Sequence, residues 1–339
     1  MIRATVLAGI GAAIPPRSVT NDELARTLDT NDTWIRTRTG IRTRHWADTG
    51  TSTGDLATAA GARALKSAGV DSVDLVILAT STGNQPMPGT APEVATALGL
   101  GHVAAYDISA ACSGFLYALS AAAGAIASGV AERVLVVGAD VWSTRLDPTD
   151  RSTTIIFGDG AGAAVLRAGD AGEPGALLGF DLGSDGTGHE LAQVAGGGSR
   201  ERGSGLPARP EGAYMTMQGK DMFTHAVNRM AASSEQLLGR VGWSAADVDW
   251  CAAHQANIRI LHTVADVLGV ERSRMLVHLD KVGNTSAASI PLALTDAAVS
   301  ERVKPGDRVL MTAFGGGLSW ASTALRWPEI DVMEITTEI

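Results

Sequence analysis

The chain has 339 residues, 45% of them apolar and 19% charged, with 27 basic against 36 acidic side chains and a formal charge of −9. That balance excludes a protein that holds nucleic acid by neutralising phosphates, the apolar fraction excludes disorder, and the 40 glycines follow no period, which excludes collagen. Two cysteines, Cys112 and Cys251, are too few for a disulfide scaffold and fit a reducing, cytoplasmic compartment.

Along the chain, the first residues break too early at glycine for a secretory leader. An apolar run predicts a strand at 4–10, followed by a helix at 53–68, a strand at 75–79, a helix at 91–98 and a strand at 103–108. Residues 108–131 carry no charge and are long enough to cross a bilayer. Their Ala, Ser and Gly content lacks the large apolar side chains that drive insertion, so a helix at 114–128 buried in protein is expected instead. Strands follow at 134–138 and 161–166, then a Gly-, Arg- and Pro-rich surface excursion at 196–212. A helix at 222–238, a strand at 250–253, helices at 258–268 and 287–299 and a strand at 309–313 complete the chain. Strands alternating with helices define an α/β fold.

The segment from Ala68 to Thr80 is echoed by that from Val241 to His254: a helix end, a turn, then an Asp and an apolar strand. The distances that follow are similar in both copies, so two α/β halves are expected, with Cys112 in the first at about the place of Asn284 in the second. Packed together, such halves bring equivalent strand ends toward one central site.

Cys112 lies between a strand and the small-residue helix, where unpaired N–H groups and the helix dipole lower a thiol pKa and favour the nucleophilic thiolate. Read alone, it is equally a small buried hydrophobe, as Cys251 within its strand is. His254 ends a strand in Ala253-His-Gln-Ala-Asn257, and no metal-binding spacing surrounds any histidine. Asn284 on its own reads as a helix cap. The loop Phe157-Gly-Asp-Gly-Ala-Gly162 lacks the lysine of a phosphate loop. Phe314-Gly-Gly-Gly317 follows a strand, where glycines let backbone N–H groups approach a reacting oxygen.

Seven ordered motifs resemble the β-ketoacyl-acyl-carrier-protein synthase III family over residues 2–327. They are Asp32-Thr-Trp-Ile-Arg-Thr-Arg-Thr-Gly-Ile-Arg42, Ala110-Ala-Cys-Ser-Gly-Phe115, Asp147-Pro-Thr-Asp-Arg151, the loop from Phe157, His254-Gln-Ala-Asn-Ile-Arg259, Gly283-Asn-Thr-Ser-Ala-Ala-Ser289 and Phe314-Gly-Gly-Gly317. The resemblance implies a thiolase fold of five layers, α-β-α-β-α, with halves at 1–170 and 171–327 and an acidic, solvated tail at 328–339. It implies that Cys112 takes an acyl group from acyl-coenzyme A, with the oxyanion held by the N–H groups of Cys112 and Gly317. His254 and Asn284 then stabilise the enolate formed when malonyl on an acyl carrier protein loses carbon dioxide, with no cofactor or metal. Trp34, Arg38, Arg151 and Asn257 are implied at the coenzyme A site, Met87 and Phe223 at the acyl pocket, Arg259 at the carrier-docking face, and the chain as a homodimer.

Three departures qualify this. Met87 stands where many relatives have Phe, implying starters longer than acetyl, or branched. Asp266 and Thr224 replace frequent lysines on the docking face, which weakens attraction to an acidic carrier. About twelve residues follow Trp327, with Glu329, Asp331, Glu334 and Glu338 and no base. The alternatives are transfer of the acyl group to a hydroxyl or amine, or a starter-unit synthase of a polyketide pathway. A non-catalytic partner subunit and a nucleotide enzyme fit the motifs less well.

Overall fold

The computed structural model describes residues 3–339. The first sheet contains β1 (Ala4–Ala13), β2 (Leu75–Ala79), β3 (Ala104–Ile108), β4 (Arg133–Asp140) and β5 (Gly160–Gly169) in the order β1-β5-β4-β2-β3. The second contains β6 (Phe180–Ser184), β7 (Trp250–Ala253), β8 (Arg308–Gly315) and β9 (Ser319–Arg326) in the order β7-β8-β9-β6. In the first sheet β4, β2 and β3 run parallel while β1-β5 and β5-β4 are antiparallel, and in the second β7 and β8 run parallel while β8-β9 and β9-β6 are antiparallel.

The helices are α1 (Asp32–Thr39), α2 (Thr53–Ser67), α3 (Ala91–Ala97), α4 (Gly114–Ala127), α5 (Gly219–Val241), α6 (Ile258–Leu268) and α7 (Ser289–Val299), beside shorter turns. Helices α4 and α7 share one core with Ile77 and Val136 of the first sheet and Val309 and Met311 of the second, so they form the middle layer. Leu56 and Ala60 of α2 and Val94 of α3 cover the outer face of the first sheet, against Val76, Leu78 and Val137. Met230 of α5 and Leu261 and Val264 of α6 cover the outer face of the second, against Leu310. These are the five layers α-β-α-β-α.

The charge-free stretch forms α4 in the middle layer. Phe115, Leu116, Leu119, Ala122 and Ile126 recur at helical spacing and are buried, while the intervening alanines allow close approach. No helix of the described residues is long and apolar enough to cross a membrane.

The internal repeat is visible in the hydrogen bonds. The Asp74 carboxylate accepts from the N–H groups of Glu132 and Arg133 at 2.8 and 2.9 Å, and Asp249 accepts from that of Arg308 at 2.8 Å. Each aspartate thereby clips the start of one parallel strand to the next. The repeat corrects one expected equivalence. Ala111 (φ 46°) opens the turn Ala111–Ser113 that runs into α4, and Ser286 (φ 51°) opens the turn Ser286–Ala288 that runs into α7. Cys112 lies 38 residues after Asp74 and Ala287 lies 38 after Asp249. The counterpart of Cys112 is therefore Ala287, and Asn284 approaches from three residues upstream.

The C-terminal segment exposes its acidic residues but is not a free tail, because its other residues pack on the fold. The Thr336 carbonyl accepts from the Ile14 N–H at 2.9 Å, the Thr336 N–H donates to the Ala12 carbonyl at 3.1 Å, and the Ser67 hydroxyl donates to the Asp331 carbonyl. Ile330, Val332 and Ile335 pack on apolar core residues. The sequence reading weighed the acidic side chains and missed these alternating apolar ones. Residues 196–212 form an exposed arm between the short paired strands Ala192–Val194 and Met215–Met217.

Candidate active site

A cavity of about 1090 Å³ opens between the halves, with Cys112, His254, Asn284 and Gly315–Gly317 among its lining residues. Cys112 occupies the turn leading into α4. The first N–H groups of such a turn have no intrahelical acceptor, which leaves them for a ligand. Gly315 is required here, since a Cβ on it would lie 2.6 Å from the Cys112 nitrogen.

The expectation of a low thiol pKa is not met. Burial pushes the Cys112 thiol up to about 12; the Ser286 hydroxyl pulls down and the Asp140 carboxylate pushes up further. Desolvation in an apolar cavity outweighs the helix terminus, so the resting group is the thiol. Cys251 is fully buried in β7.

His254 directly follows β7 and is buried, its Nδ1 2.7 Å from the Ser289 Oγ. That oxygen also accepts from the Gln255 N–H at 3.4 Å, and it serves Nδ1 as donor in the tautomer that carries the ring proton on Nε2. The proton of a neutral ring then lies on Nε2 and is free to donate into the cavity. Burial pushes the His254 pKa down to about 3, which keeps the ring neutral.

Asn284 is held from both sides. Its N–H donates to the Ile156 carbonyl at 2.9 Å, and its carbonyl accepts from the Gly158 N–H at 3.0 Å. Its side-chain Oδ1 accepts from the Ser286 N–H at 2.9 Å. With Oδ1 occupied, the Nδ2 amide is left to donate. Two buried N–H donors, one on each residue, thus line the cavity that holds Cys112.

Gln255 was overlooked in the sequence. Its amide donates to the carbonyls of Ala253 and Leu276 at 2.7 and 3.0 Å and accepts from the His278 N–H at 2.9 Å. It fastens the strand bearing His254 to the segment leading toward Asn284. Its place beside the histidine was the available signal.

At the mouth, Trp34 and Arg38 of α1 line the cavity, and the guanidinium carbons of Arg38 and Arg151 lie 5.9 and 5.0 Å from the Trp34 ring centre. Arg151 itself does not line the cavity. It donates to the Asp29 carbonyl at 2.5 Å. Asn257 lines the wall while capping α6 through the Arg259 N–H (2.8 Å) and donating to the Arg38 carbonyl (3.1 Å). Phe223 and Arg259 also line it, and so does Lys220, a cation the sequence reading passed over. Asp266 is not a free negative charge, because Arg272 holds both its oxygens at 2.8 and 2.5 Å.

Met87 is not in the cavity of this chain. It is 85% exposed, on a loop whose Thr90 and Ala91 N–H groups are pinned by the Asp107 carboxylate at 2.7 Å each. Asp107 belongs to β3, the unpaired edge of the first sheet.

Comparison with known proteins agrees with this geometry. Residues 106–186 match the family model for 3-oxoacyl-[acyl-carrier-protein] synthase III, and residues 238–327 match that for its C-terminal region. A relative in Streptomyces coelicolor, beta-ketoacyl-[acyl-carrier-protein] synthase III 5, is 60% identical over 98% of this chain and 100% of its own length. The crystal structure of 3-oxoacyl-(acyl carrier protein) synthase III from Pseudomonas aeruginosa matches with a TM-score of 0.91 and 48% identity, covering 97% of this chain and 100% of that one. The priming β-ketosynthase of the R1128 polyketide pathway matches with a TM-score of 0.88 and 36% identity, covering 96% and 97%. With its five-layer fold, a buried histidine and asparagine lining one cavity with a cysteine, and relatives that align from end to end, the chain belongs to the β-ketoacyl-acyl-carrier-protein synthase III family.

Proposed function

We propose that this condensing enzyme uses Cys112 as acyl acceptor and His254 and Asn284 as enolate-binding donors, with acyl-coenzyme A as starter and malonyl-acyl carrier protein as extender. The observation that carries this is the pairing of the inner atoms. Ser289 occupies His254 Nδ1 and the Ser286 N–H occupies Asn284 Oδ1, so the free atoms of both side chains are donors. Such a pair suits a group that becomes negative during reaction.

In the first step the Cys112 sulfur attacks the thioester carbonyl. The oxyanion rests on the N–H groups of Cys112 and Gly317, and coenzyme A leaves as its thiol. In the second, His254 Nε2–H and Asn284 Nδ2–H hold the thioester oxygen of the malonyl group as carbon dioxide departs. The resulting enolate carbon attacks the acyl-cysteine, releasing 3-oxoacyl carrier and returning the cysteine. The chain's own residues supply every donor in this sequence. Trp34 with Arg38 and Arg151 offers a stacking and cationic surface for coenzyme A. Lys220 and Arg259 offer positive charge at the mouth to an acidic carrier. Mixing acyl-coenzyme A with malonyl carrier and reading product mass tests the assignment. Carbon dioxide without a new carbon–carbon product would contradict it.

The chain also works as a homodimer in this reading. The free edge of β3 exposes Tyr106, and Met87 projects beside it. An exposed strand edge with apolar side chains pairs readily with another edge. A second copy paired there brings Met87 toward an acyl pocket that one chain leaves without it. Met87→Phe is then expected to lower turnover of a branched starter such as isobutyryl-coenzyme A more than that of acetyl-coenzyme A. Equal turnover of both starters would remove Met87 from the pocket.

A further inference from the structure

The two N–H groups that hold the oxyanion in the reading above come from different halves of the molecule. Cys112 lies in the turn Ala111–Ser113 that enters α4, and Gly317 lies in the loop between β8 and β9. An oxyanion hole needs both donors ~3 Å from one developing charge, so the spacing of these two segments has to be fixed. They are in close contact, since a Cβ on Gly315 would stand 2.6 Å from the Cys112 nitrogen and 3.2 Å from that of Ser113. Among the described residues, however, no backbone hydrogen bond joins 110–113 to 315–319.

Two buried hydroxyls make the connection. Ser113 is fully buried and Ser319 is 7% exposed, and their Oγ atoms lie 2.8 Å apart. Ser113 Oγ is 2.7 Å from the Ala110 carbonyl oxygen, and the Ser113 N–H donates to the same oxygen at 3.2 Å, which closes the turn around Cys112. Ser319 Oγ is 3.1 Å from that carbonyl oxygen and 3.3 Å from the Gly316 carbonyl oxygen. Two hydroxyl protons thus serve one network of two hydroxyls and two carbonyls that spans both halves. Away from water, little competes with such bonds. The Gly316 carbonyl matters because it shares one planar peptide unit with the Gly317 N–H. Holding the oxygen on one side of that unit fixes the direction of the N–H on the other. Neither Ser113 nor Ser319 lines the cavity, so both act through the backbone and not on substrate.

We propose that Ser113 and Ser319 are positioning residues for the oxyanion hole. Their hydroxyl network sets the distance between the Cys112 and Gly317 N–H groups and the direction of the second. Without it, the cavity keeps its nucleophile and both donors, but the donors no longer converge on one oxygen.

The proposal rests on the reading of Cys112 as acyl acceptor and of these N–H groups as its oxyanion donors. Ser113→Ala, Ser319→Ala and the double variant of the full-length protein are compared with the parent in two reactions of the same sulfur, both followed by mass spectrometry. Acyl transfer from acyl-coenzyme A builds an oxyanion. Alkylation by iodoacetamide displaces iodide at a saturated carbon and builds none. The expected result is a loss of about 10–10²-fold in acyl transfer at saturating acyl-coenzyme A, with half-saturation near the parental concentration and near-parental alkylation. Because both serines serve one network, the double variant should lose about as much as the worse single one. Parental acyl transfer in all three overturns the proposal. So does an equal loss in both reactions, which makes the serines supports of the sulfur and not of the donors, and so do single losses that multiply in the double variant. Should Ser113→Ala fail to fold, Ser319→Ala decides, since it leaves the contact of Ser113 with Ala110 in place. Failure of the wider reading looks different: a parent protein whose Cys112 alkylates but takes no acyl group from coenzyme A.

Discussion

Asn284→Ala and His254→Ala are expected to lose about 10²–10³-fold in decarboxylative condensation while still becoming acylated on Cys112. The ground is the division of labour in the cavity. Both side chains have their inner atoms engaged by the protein, at 2.7 and 2.9 Å, and present donors outward. Such donors have little to do for a neutral thioester and much for an enolate, so their loss falls on the second step. In the proposed mechanism the two residues share one oxygen, so the double variant should lose far less than the product of the single losses. The measurement is a split assay: acyl transfer to Cys112 by mass spectrometry, and carbon dioxide release from malonyl carrier by the pre-acylated enzyme. The same assay carries a pH expectation. With its pKa pushed down to about 3, His254 stays neutral through mild acid, so release by pre-acylated enzyme should show no acid limb near the ordinary histidine pKa of ~6.5. A limb there, or equal loss of both half-reactions in the variants, contradicts these roles.

The elements that bury large apolar side chains were legible in the sequence. Strand β7 and helix α6 fall where their apolar runs predict, and α4 is the buried helix that its small residues suggest. What escaped was held together by other means. Strand β9 reads Ser-Trp-Ala-Ser-Thr-Ala-Leu-Arg, and its inward hydroxyls are paired instead of being greasy, as Ser322 Oγ donates to Thr312 Oγ1 at 2.9 Å. Helix α1, which carries Trp34 and Arg38, has an alternation of Thr and Arg in place of an apolar stripe. It is fixed by the Asn31 side chain at one end and by Gly40 at the other.

The candidate site divides in the same way. Cys112, His254, Asn284 and the glycine loop after Phe314 carry motifs, and the structure brings them into one cavity. The thiol pKa could not be read, because it depends on how dry the cavity is and on Asp140, 28 residues further along the chain. Met87 could not be placed, because the role proposed for it needs a second copy of the chain. The repeat was legible as a period, but the residue opposite Cys112 depended on turn geometry, which spacing alone put three residues off.

The high glycine content has one position where its effect is largest. Gly158 lies where the segment after Ile156 runs alongside the one leading into Asn284, bridged at Phe157 and Asn284. A Cβ on Gly158 would stand 2.1 Å from the Val282 carbonyl oxygen and 3.2 Å from the Arg44 Cβ. The first of these is backbone, and the second belongs to an arginine whose guanidinium is anchored at 2.8 Å to Asn21 Oδ1 and at 2.6 Å to the Ile155 carbonyl. Neither can step aside as a flexible side-chain end does. Gly158→Ala must therefore push residues 282–284 outward, at a cost of ~1–3 kcal/mol or more, and carry Asn284 with them. A displacement of that order at a positioned group costs roughly 10²-fold in rate, so the variant should lose both thermal stability and condensation, with acylation of Cys112 less affected. Gly239 provides the contrast: it is exposed near the end of α5, and a Cβ there meets nothing within 4 Å. Gly239→Ala should gain about 0.5–1 kcal/mol from helix propensity and leave activity unchanged. Thermal melts and the split assay on both variants check the pair. If Gly158→Ala melts and condenses like the parent, the close approach beneath Asn284 is not what holds the donor in place.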